Sequence, residues 1–425
     1  VKVCMFTNTY LPHVGGVARS VDFFTQDLRS FGHEVLVVAP EYAEAAGPEK
    51  GIIRVPALQN FNGSDFSVSL VLPQKSAARI SEFRPDIIHS HHPYLLGDAA
   101  LRTARRLKCP LVFTHHTLYE QYTHYVPLGS VAMGHFAIHL STQYANLCSG
   151  VVAPSRSIAE IIRSRGVTVP IREIPTGVDL AAFRNGDGLR FRRSHGIPEN
   201  LPVIGHLGRL VPEKNLDYLA RSVAACLSRE NGLFLVVGKG PDAENIRRIF
   251  SERKLEDRLK LVPPQAGQDL VDSYHAMDIF VFSSKSETQG MVVAEAMAAG
   301  LPVIALDASG VRDVVSDGVN GRLLAVNARI EDFAGALADF LRNPGQGKSW
   351  KSRVSGTARR FSRDRCAGAL VRFYGQLLEG YSRERDIRDE ILSFETFRRS
   401  LKAEWDLIAE KARALKDTLG NHRHE

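Results

Sequence analysis

Short apolar runs alternate with stretches of helical period along most of the chain. Lys2–Phe6, Glu34–Ala39, Ile87–His89, Leu111–His115 and Val151–Ala153 read as strands. Val17–Phe31, Pro73–Phe83, Leu95–Leu107 and Ser157–Arg165 read as the helices between them. Runs apolar on both faces and joined through helices predict a parallel sheet in a doubly wound α/β domain. Ile171–Ile174 and the turn Pro175-Thr176-Gly177 then lead into a polar, glycine-containing stretch, Phe183–Gly196, which is placed as a linker. The alternation resumes beyond it. Val203–His206, Leu233–Val237, Leu259–Val262, Ile279–Phe282, Val303–Ala305 and Gly321–Leu324 read as strands, and Leu216–Ser228, Ala243–Lys254, Leu270–Ala276, Met291–Ala299 and Ile330–Leu341 as helices. Such domains bind ligands at the carboxyl ends of their strands, so two of them predict a cleft for two substrates.

After Arg342 the pattern is helical to the end. From Ile387 an apolar stripe steps alternately by four and three through Ile391, Phe394, Leu401, Trp405, Ile408, Ala412, Leu415 and Leu419, with Arg398 in the missing slot. That is a heptad-like seam. Arg383–Asp417 holds nine basic and nine acidic residues, whereas a helix lying on a membrane is biased toward Lys and Arg. The balance favours packing on protein, either this chain or a second copy, so a homodimer through residues 387–419 is one expectation.

With 425 residues the chain is too long for one ordinary core, which agrees with two domains. The formal charge of +7 is spread evenly: residues 1–185 carry 17 Lys and Arg against 14 Asp and Glu. No basic tail marks a nucleic-acid partner. No apolar run reaches the roughly 18 residues of a bilayer span, and VKVCMFTN enters a strand without a leader pattern, so a cytoplasmic location is expected. The five cysteines are scattered, with neither a CxxC pair nor zinc-ligand spacing.

Candidate chemistry concentrates in Ser283–Pro302. Glu287 stands at the end of the apolar run Ile279–Ser284, and Glu295 lies within the helix that follows, with Gln289, Gly290 and Met291 between them. Gly290–Val292 opens that helix, and helix N-termini offer unpaired N–H groups to phosphate. Two carboxylates beside a phosphate cradle suit a ligand with both hydroxyls and phosphates, such as a nucleotide sugar. Arg209 and Lys214, in the strand-to-helix loop Leu207–Asn215, can converge on one anion, as a departing diphosphate requires. Gly15-Gly16 joins the first strand to the first helix without forming GxGxxG, so the NAD fingerprint is absent. Phe113–Tyr125 packs His115, His116, Tyr119, Glu120, Tyr122, His124 and Tyr125 into one strand end and loop, and His89, His91 and His92 stand at another. Their ligand spacing is poor for a metal, and no Asp-x-Asp occurs to hold a diphosphate through a divalent cation.

Together these residues resemble the retaining GT-B glycosyltransferases of family GT4. Glu287 and Glu295 match its E-x7-E pattern, Gly208–Lys214 its G-R-L-x-x-x-K pattern, and Gly15-Gly16 its glycine loop; Ile174–Asp179 (IPTGVD) and Glu295–Ala305 are similar too. The resemblance implies two Rossmann-like doubly wound domains facing each other. On it, residues 1–185 form the acceptor-side domain, 186–345 the nucleotide-sugar domain and 346–382 helices returning toward the first; the helical tail, 383–425, is read from its heptad-like stripe and is not part of the resembled pattern. It implies that Glu287 bonds the donor sugar's hydroxyls and Glu295 the ribose, and that Arg209 and Lys214 hold the diphosphate. Gly15, Gly16, Thr288, Gln289, Gly290, Met291 and Val292 would line the donor, with His116 beside the anomeric carbon. Retention would follow from same-face attack, with the leaving phosphate taking the acceptor's proton and no metal or other cofactor required.

Within the family, His115–Val126 (HHTLYEQYTHYV) and Ser286–Gly290 (SETQG) are similar to diacylglycerol glucosyltransferases. That implies a UDP-sugar donor, glucose foremost, and a membrane glycerolipid acceptor approached by Tyr119, Glu120 and Tyr125. The protein would then be peripheral at the inner face of the membrane, with Arg102, Arg105, Arg106 and Lys108 part of a docking face. A GDP-mannose-dependent phosphatidylinositol mannosyltransferase, an enzyme with a soluble acceptor, and an inactive nucleotide-sugar-binding or scaffold protein are the alternatives.

Overall fold

The computed structural model describes residues 1–13, 15–42, 49–57, 72–121 and 131–381. Tyr125 and the seam over 387–419 lie outside the described residues. The described residues form two compact units: those within Val1–Ala153, Ala159–Glu173 and 370–381 make one, and Pro154–Ile158 with Ile174–Ala369 the other. The division at Glu173/Ile174 comes ahead of 185/186, because Val178 and Phe183 are buried in the second unit's core and Val178 donates to the Phe361 carbonyl at 2.7 Å. The stretch Phe183–Gly196, expected as linker, instead holds parts of two short helices, α6 (Leu180–Arg184) and α7 (Gly188–Ser194). Each is N-capped by an aspartate: Asp179 accepts from the Ala181 and Ala182 amides, and Asp187 from that of Arg190.

The first unit contains a seven-stranded sheet, β1 (Lys2–Phe6), β2 (Glu34–Pro40), β3 (Ile52–Val55), β4 (Ile87–Ser90), β5 (Leu111–Thr114), β6 (Gly150–Ala153) and β7 (Ile171–Glu173), in the order β3-β2-β1-β4-β5-β6-β7. Every pair is parallel. The connecting helices are α1 (Gly16–Ser30), α2 (Gln74–Phe83), α3 (Leu96–Leu107), α4 (Val131–Asn146) and, from Ala159 on, α5 (Arg156–Ser164). The strand order reverses beside β1, so the loops leaving β1 and β4 diverge and expose a crevice at their carboxyl ends.

The second unit repeats the plan with β8 (Val203–Leu207), β9 (Leu233–Val237), β10 (Leu259–Val262), β11 (Ile279–Phe282), β12 (Val303–Leu306) and β13 (Gly321–Leu324), all parallel, in the order β10-β9-β8-β11-β12-β13. Central strands are buried along their whole length, whereas the edge strands β10 and β13 keep partly exposed positions, as sheet edges do. Here the reversal lies between β8 and β11. The helices are α8 (Leu216–Leu227), α9 (Asp242–Ser251), α10 (Gly267–His275), α11 (Met291–Ala298), α12 (Ile330–Arg342) and α13 (Pro344–Ala358), and α14 (Arg363–Gly380) enters the first unit from Leu370.

Candidate active site

The carboxyl ends of β8 and β11, the switch point of the second sheet, hold the charged groups singled out by the sequence. Past β8 the loop runs against the loop after β9: the Gly208 amide donates to Val237 at 3.1 Å and that of Leu210 to Lys239 at 2.9 Å. A Cβ on Gly238 would come within 1.9 Å of the Gly208 carbonyl oxygen, so only glycine permits this approach. A 3-10 turn, Pro212–Lys214, follows, and Asn215 closes it in the left-handed region at φ 57°. Ser283, at the end of β11, donates its hydroxyl to the carbonyls of Lys214 and Asn215, both at 3.0 Å. Lys214 is therefore anchored by the strand that delivers Glu287, and its ammonium donates to Glu287 Oε1. Arg209 is 55% exposed and pairs with Glu213 at 3.2 Å, a carboxylate only 5% exposed.

Lys214 and Glu287 are 17% and 16% exposed. Burial pushes the Glu287 carboxyl upward, but the charge and hydrogen bond of Lys214, aided by Ser284 and Arg209, outweigh it and hold the group below the ordinary carboxylate value. Glu287 is thus a fixed anion. Glu295, on the buried face of α11, is 1% exposed and accepts from the Tyr274 hydroxyl at 2.9 Å. Gly290, left-handed at φ 72°, caps α11, and Val293 and Ala294 donate to its carbonyl. Among the described residues the Met291 and Val292 amides have no backbone acceptor, which leaves two donors at the helix N-terminus.

Gln289 has a different position from its neighbours. It is 4% exposed, its amide oxygen accepts from the Thr176 amide at 2.7 Å, and its amide nitrogen donates to the Thr176 carbonyl at 2.8 Å. It therefore ties the Ile174–Asp179 turn to the Glu287–Gly290 loop. The same loop is braced by Ser155, whose hydroxyl donates to Thr288 O at 2.7 Å, and by Ser309, which donates to Glu287 O at 3.1 Å. Asp313 accepts from the Ser157 hydroxyl at 2.6 Å and from the Gly310 amide. A Cβ on Gly310 would lie 2.7 Å from the Gln289 nitrogen. Ser155, Ser157, Ser309, Asp313 and Tyr274, and the tie of Thr176 to Gln289, escaped the sequence reading because the partners lie tens of residues away. His206 escaped as well, although a histidine inside the apolar run Val203–Leu207 was a visible signal. Its Nδ1–H donates to the Val281 carbonyl at 3.0 Å, Nε2 is buried with no partner among the described residues, and burial lowers the ring's pKa to about 4.

In the first unit, Gly15 is the extended N-cap of α1 and its carbonyl accepts from Arg19 at 3.0 Å. Gly16 is exposed, and a Cβ there would meet nothing within 4 Å, so no internal packing demands glycine at this position. His116 is the second residue past β5 and His91 directly follows β4; His91 Nδ1 and His116 Nε2 are 2.9 Å apart. His89 bonds Tyr374 at 2.6 Å and Thr114 at 2.7 Å. His115 turns inward and is 2% exposed. Tyr119 packs edge-on to Tyr94 and His115 with its hydroxyl buried and unpartnered among the described residues. Glu120, expected on the acceptor side, pairs instead with Arg165 at 2.7 Å within this unit. Among the described residues no group of three or more His, Cys, Asp or Glu is arranged to hold a metal, and no helix is long and apolar enough to cross a membrane. A cavity of about 160 Å³, lined by Leu180, His275, Met297, Gly300 and Lys351 among others, sits at the opposite end of α11 from Gly290 and has no role in this constellation.

Two family models match: "Glycosyltransferase Family 4" over residues 14–182 and "Glycosyl transferases group 1" over residues 189–355. The chain is 30% identical over 348 residues to an alpha-monoglucosyldiacylglycerol synthase of Streptococcus pneumoniae, covering 80% of this chain and 78% of that one. It is also 30% identical to a GDP-mannose-dependent alpha-mannosyltransferase of Corynebacterium glutamicum, over 77% of each. Among solved structures, Anabaena HepE in complex with UDP-glucose superposes with a TM-score of 0.70 at 19% identity, covering 88% of this chain and 99% of that one. With two parallel-sheet units of the GT-B kind and family matches across both, the chain belongs to the GT4-type, group 1 glycosyltransferases and is a hexosyltransferase.

Proposed function

We propose that the enzyme transfers a hexose, glucose foremost, from a UDP-sugar to diacylglycerol or a closely similar membrane glycerolipid, with retention and without a metal. The observation that carries the donor half is the Lys214–Glu287 pair beside the α11 N-terminus, with Arg209 on the same loop system. As the glycosidic bond breaks, negative charge builds on the diphosphate, and two cations with the Met291 and Val292 amides are suited to receive it. Glu287, held ionised, is a hydroxyl acceptor and not a general acid. Glu295 serves the ribose, oriented by Tyr274. Gln289 is a brace on this reading, holding the loop that presents Glu287 and Gly290 and making no donor contact of its own. His116 keeps the catalytic role that the family resemblance implies, and the departing phosphate takes the acceptor's proton.

The lipid half is supported by the relative whose name carries diacylglycerol and by the surface of α2 and α3. Exposed Lys75, Arg79, Arg102 and Arg106 lie on these helices against a single exposed acid, Glu82. Arg106 links them through the Ala77 carbonyl and Ser81 hydroxyl. A cationic face of this kind suits anionic lipid headgroups. The equal identity to a GDP-mannose-dependent enzyme keeps a mannosyl donor as the second reading. The deciding experiment is a donor-by-acceptor panel: UDP-glucose, UDP-galactose, UDP-GlcNAc and GDP-mannose against diacylglycerol, phosphatidylinositol and water. Monoglucosyl lipid from UDP-glucose and diacylglycerol is expected. Mannosyl transfer, or donor hydrolysis without lipid product, would overturn the assignment.

A further inference from the structure

The five clustered histidines of the first unit are more than one catalytic imidazole needs, and His91 is the member in hydrogen-bond contact with His116. It is fully buried, immediately after β4, and its ring lies between two others: His89 at 4.3 Å between centroids and His116 at 5.2 Å, tilted by 29° and 27°. His89 is fixed at both nitrogens by Tyr374 and Thr114, and His92 accepts the Asn8 amide at Nδ1, so the platform under His91 is rigid. Burial, reinforced by the neighbouring rings, holds His91 and His116 well below the ordinary imidazole value, and burial takes His89 and His92 to about 3. The His91–His116 contact therefore joins two neutral rings, and one nitrogen must donate while the other accepts.

Two arrangements exist. If His116 donates from Nε2, His91 must carry its own proton on Nε2, and that atom is buried with no partner among the described residues. An N–H stranded there would be an orphaned buried donor, which folded proteins avoid more strictly than an under-used acceptor. If His91 donates from Nδ1, its Nε2 is only an unused lone pair. We propose that His91 is the positioning residue for His116, donating Nδ1–H to His116 Nε2 and so holding His116 as the tautomer protonated on Nδ1. His116 then has no ring lone pair left to take a proton. It acts by its fixed placement and polarity and not as a base, in keeping with proton transfer to the departing phosphate. The catalytic consequence rests on the proposed function; the tautomer does not.

The test uses the full chain labelled with ¹⁵N-histidine. Long-range proton–nitrogen spectra at neutral pH, with the His116 signals assigned by their loss in His116→Gln, report which ring nitrogen is protonated. The expected result is Nδ1 protonated in the native chain and a changed or mixed tautomer in His91→Leu. In hexose transfer, His91→Leu should lower kcat about 10- to 100-fold with the donor KM within about 2-fold, the scale of a misplaced catalytic group. His91→Asn, whose amide can supply the donor, should stay within about 3-fold of the native kcat if placement alone is at stake. A proton on His116 Nε2 in the native chain overturns the proposal, as does native kcat in a folded His91→Leu. If His91→Leu does not fold, the native spectrum and His91→Asn still decide. Absence of any hexose transfer by the native chain would defeat the proposed function and leave the spectrum to judge the tautomer.

Discussion

Replacing Lys214 by Met removes the ammonium from Glu287 and keeps most of the volume. At ordinary ion-pair contact and an effective dielectric of about 20, the gross attraction is on the order of 5 kcal/mol. Desolvation takes back much of it, and the pair retains some exposure, so a net cost of about 1–3 kcal/mol to the second unit is expected. The expected pH dependence has a definite sign. In the native chain the Glu287 pKa is held below its unfolded value, so its contribution is fully present above that value and is lost as pH falls through the lower folded one. Without Lys214, burial is opposed only by Ser284 and Arg209 and is expected to raise the folded pKa above the unfolded one; ionised Glu287 then opposes folding at neutral pH. The gap between native and Lys214→Met should therefore narrow as pH falls through the carboxylate range. Trp350, 4% exposed and stacked on Phe340, makes fluorescence-detected urea unfolding a reporter of this unit. Glu287→Gln completes the cycle, with an expected coupling of about 1–2 kcal/mol. Coupling below about 0.3 kcal/mol, or a gap that widens on acidification, would refute the pair as a buried electrostatic unit.

Further outcomes follow from the same geometry. Arg209→Ala should raise the barrier to transfer by about 2–4 kcal/mol while leaving stability nearly unchanged, because the side chain is more than half exposed; unchanged turnover would remove it from the diphosphate site. Gln289→Ala strands the Thr176 amide and carbonyl in a buried setting and should cost about 1–3 kcal/mol in urea unfolding, with Gln289→Glu recovering at most one of the two bonds; a neutral Gln289→Ala would show that the tie does not support the loop. Turnover should persist in EDTA, and strict dependence on added Mg²⁺ would refute the metal-free mechanism. Deletion after Tyr381 should abolish any dimer seen by sedimentation if the tail is an intermolecular seam, and an unchanged mass would locate any dimer contact elsewhere.

Much of the fold was legible because both sheets are parallel and buried on both faces, so strands such as Leu233–Val237 and Ile279–Phe282 appear as unbroken apolar runs. The strand β3 was not legible: it is an edge strand of four residues in which buried and partly exposed positions alternate, and no apolar run marks it. Nor was α4, whose sixteen residues contain no Asp, Glu, Lys or Arg to define a polar face. The site divides the same way. Spacing revealed Glu287, Glu295, Arg209 and Lys214, because strand ends and helix starts are local features. It could not show that Gln289 faces Thr176, that Tyr274 orients Glu295, or that Glu120 is occupied by Arg165. Those pairings depend on which loops the sheet order brings together.

The most direct test of the central claim, that the β8 and β11 loops form the donor site, is calorimetric titration of UDP-glucose and GDP-mannose into the native chain, Lys214→Met and Glu295→Gln without acceptor. The expected result is saturable binding of UDP-glucose to the native chain, weakened at least about 10-fold in each variant, as loss of one charge-assisted contact of about 1.4 kcal/mol requires. Native affinity in both variants would contradict it.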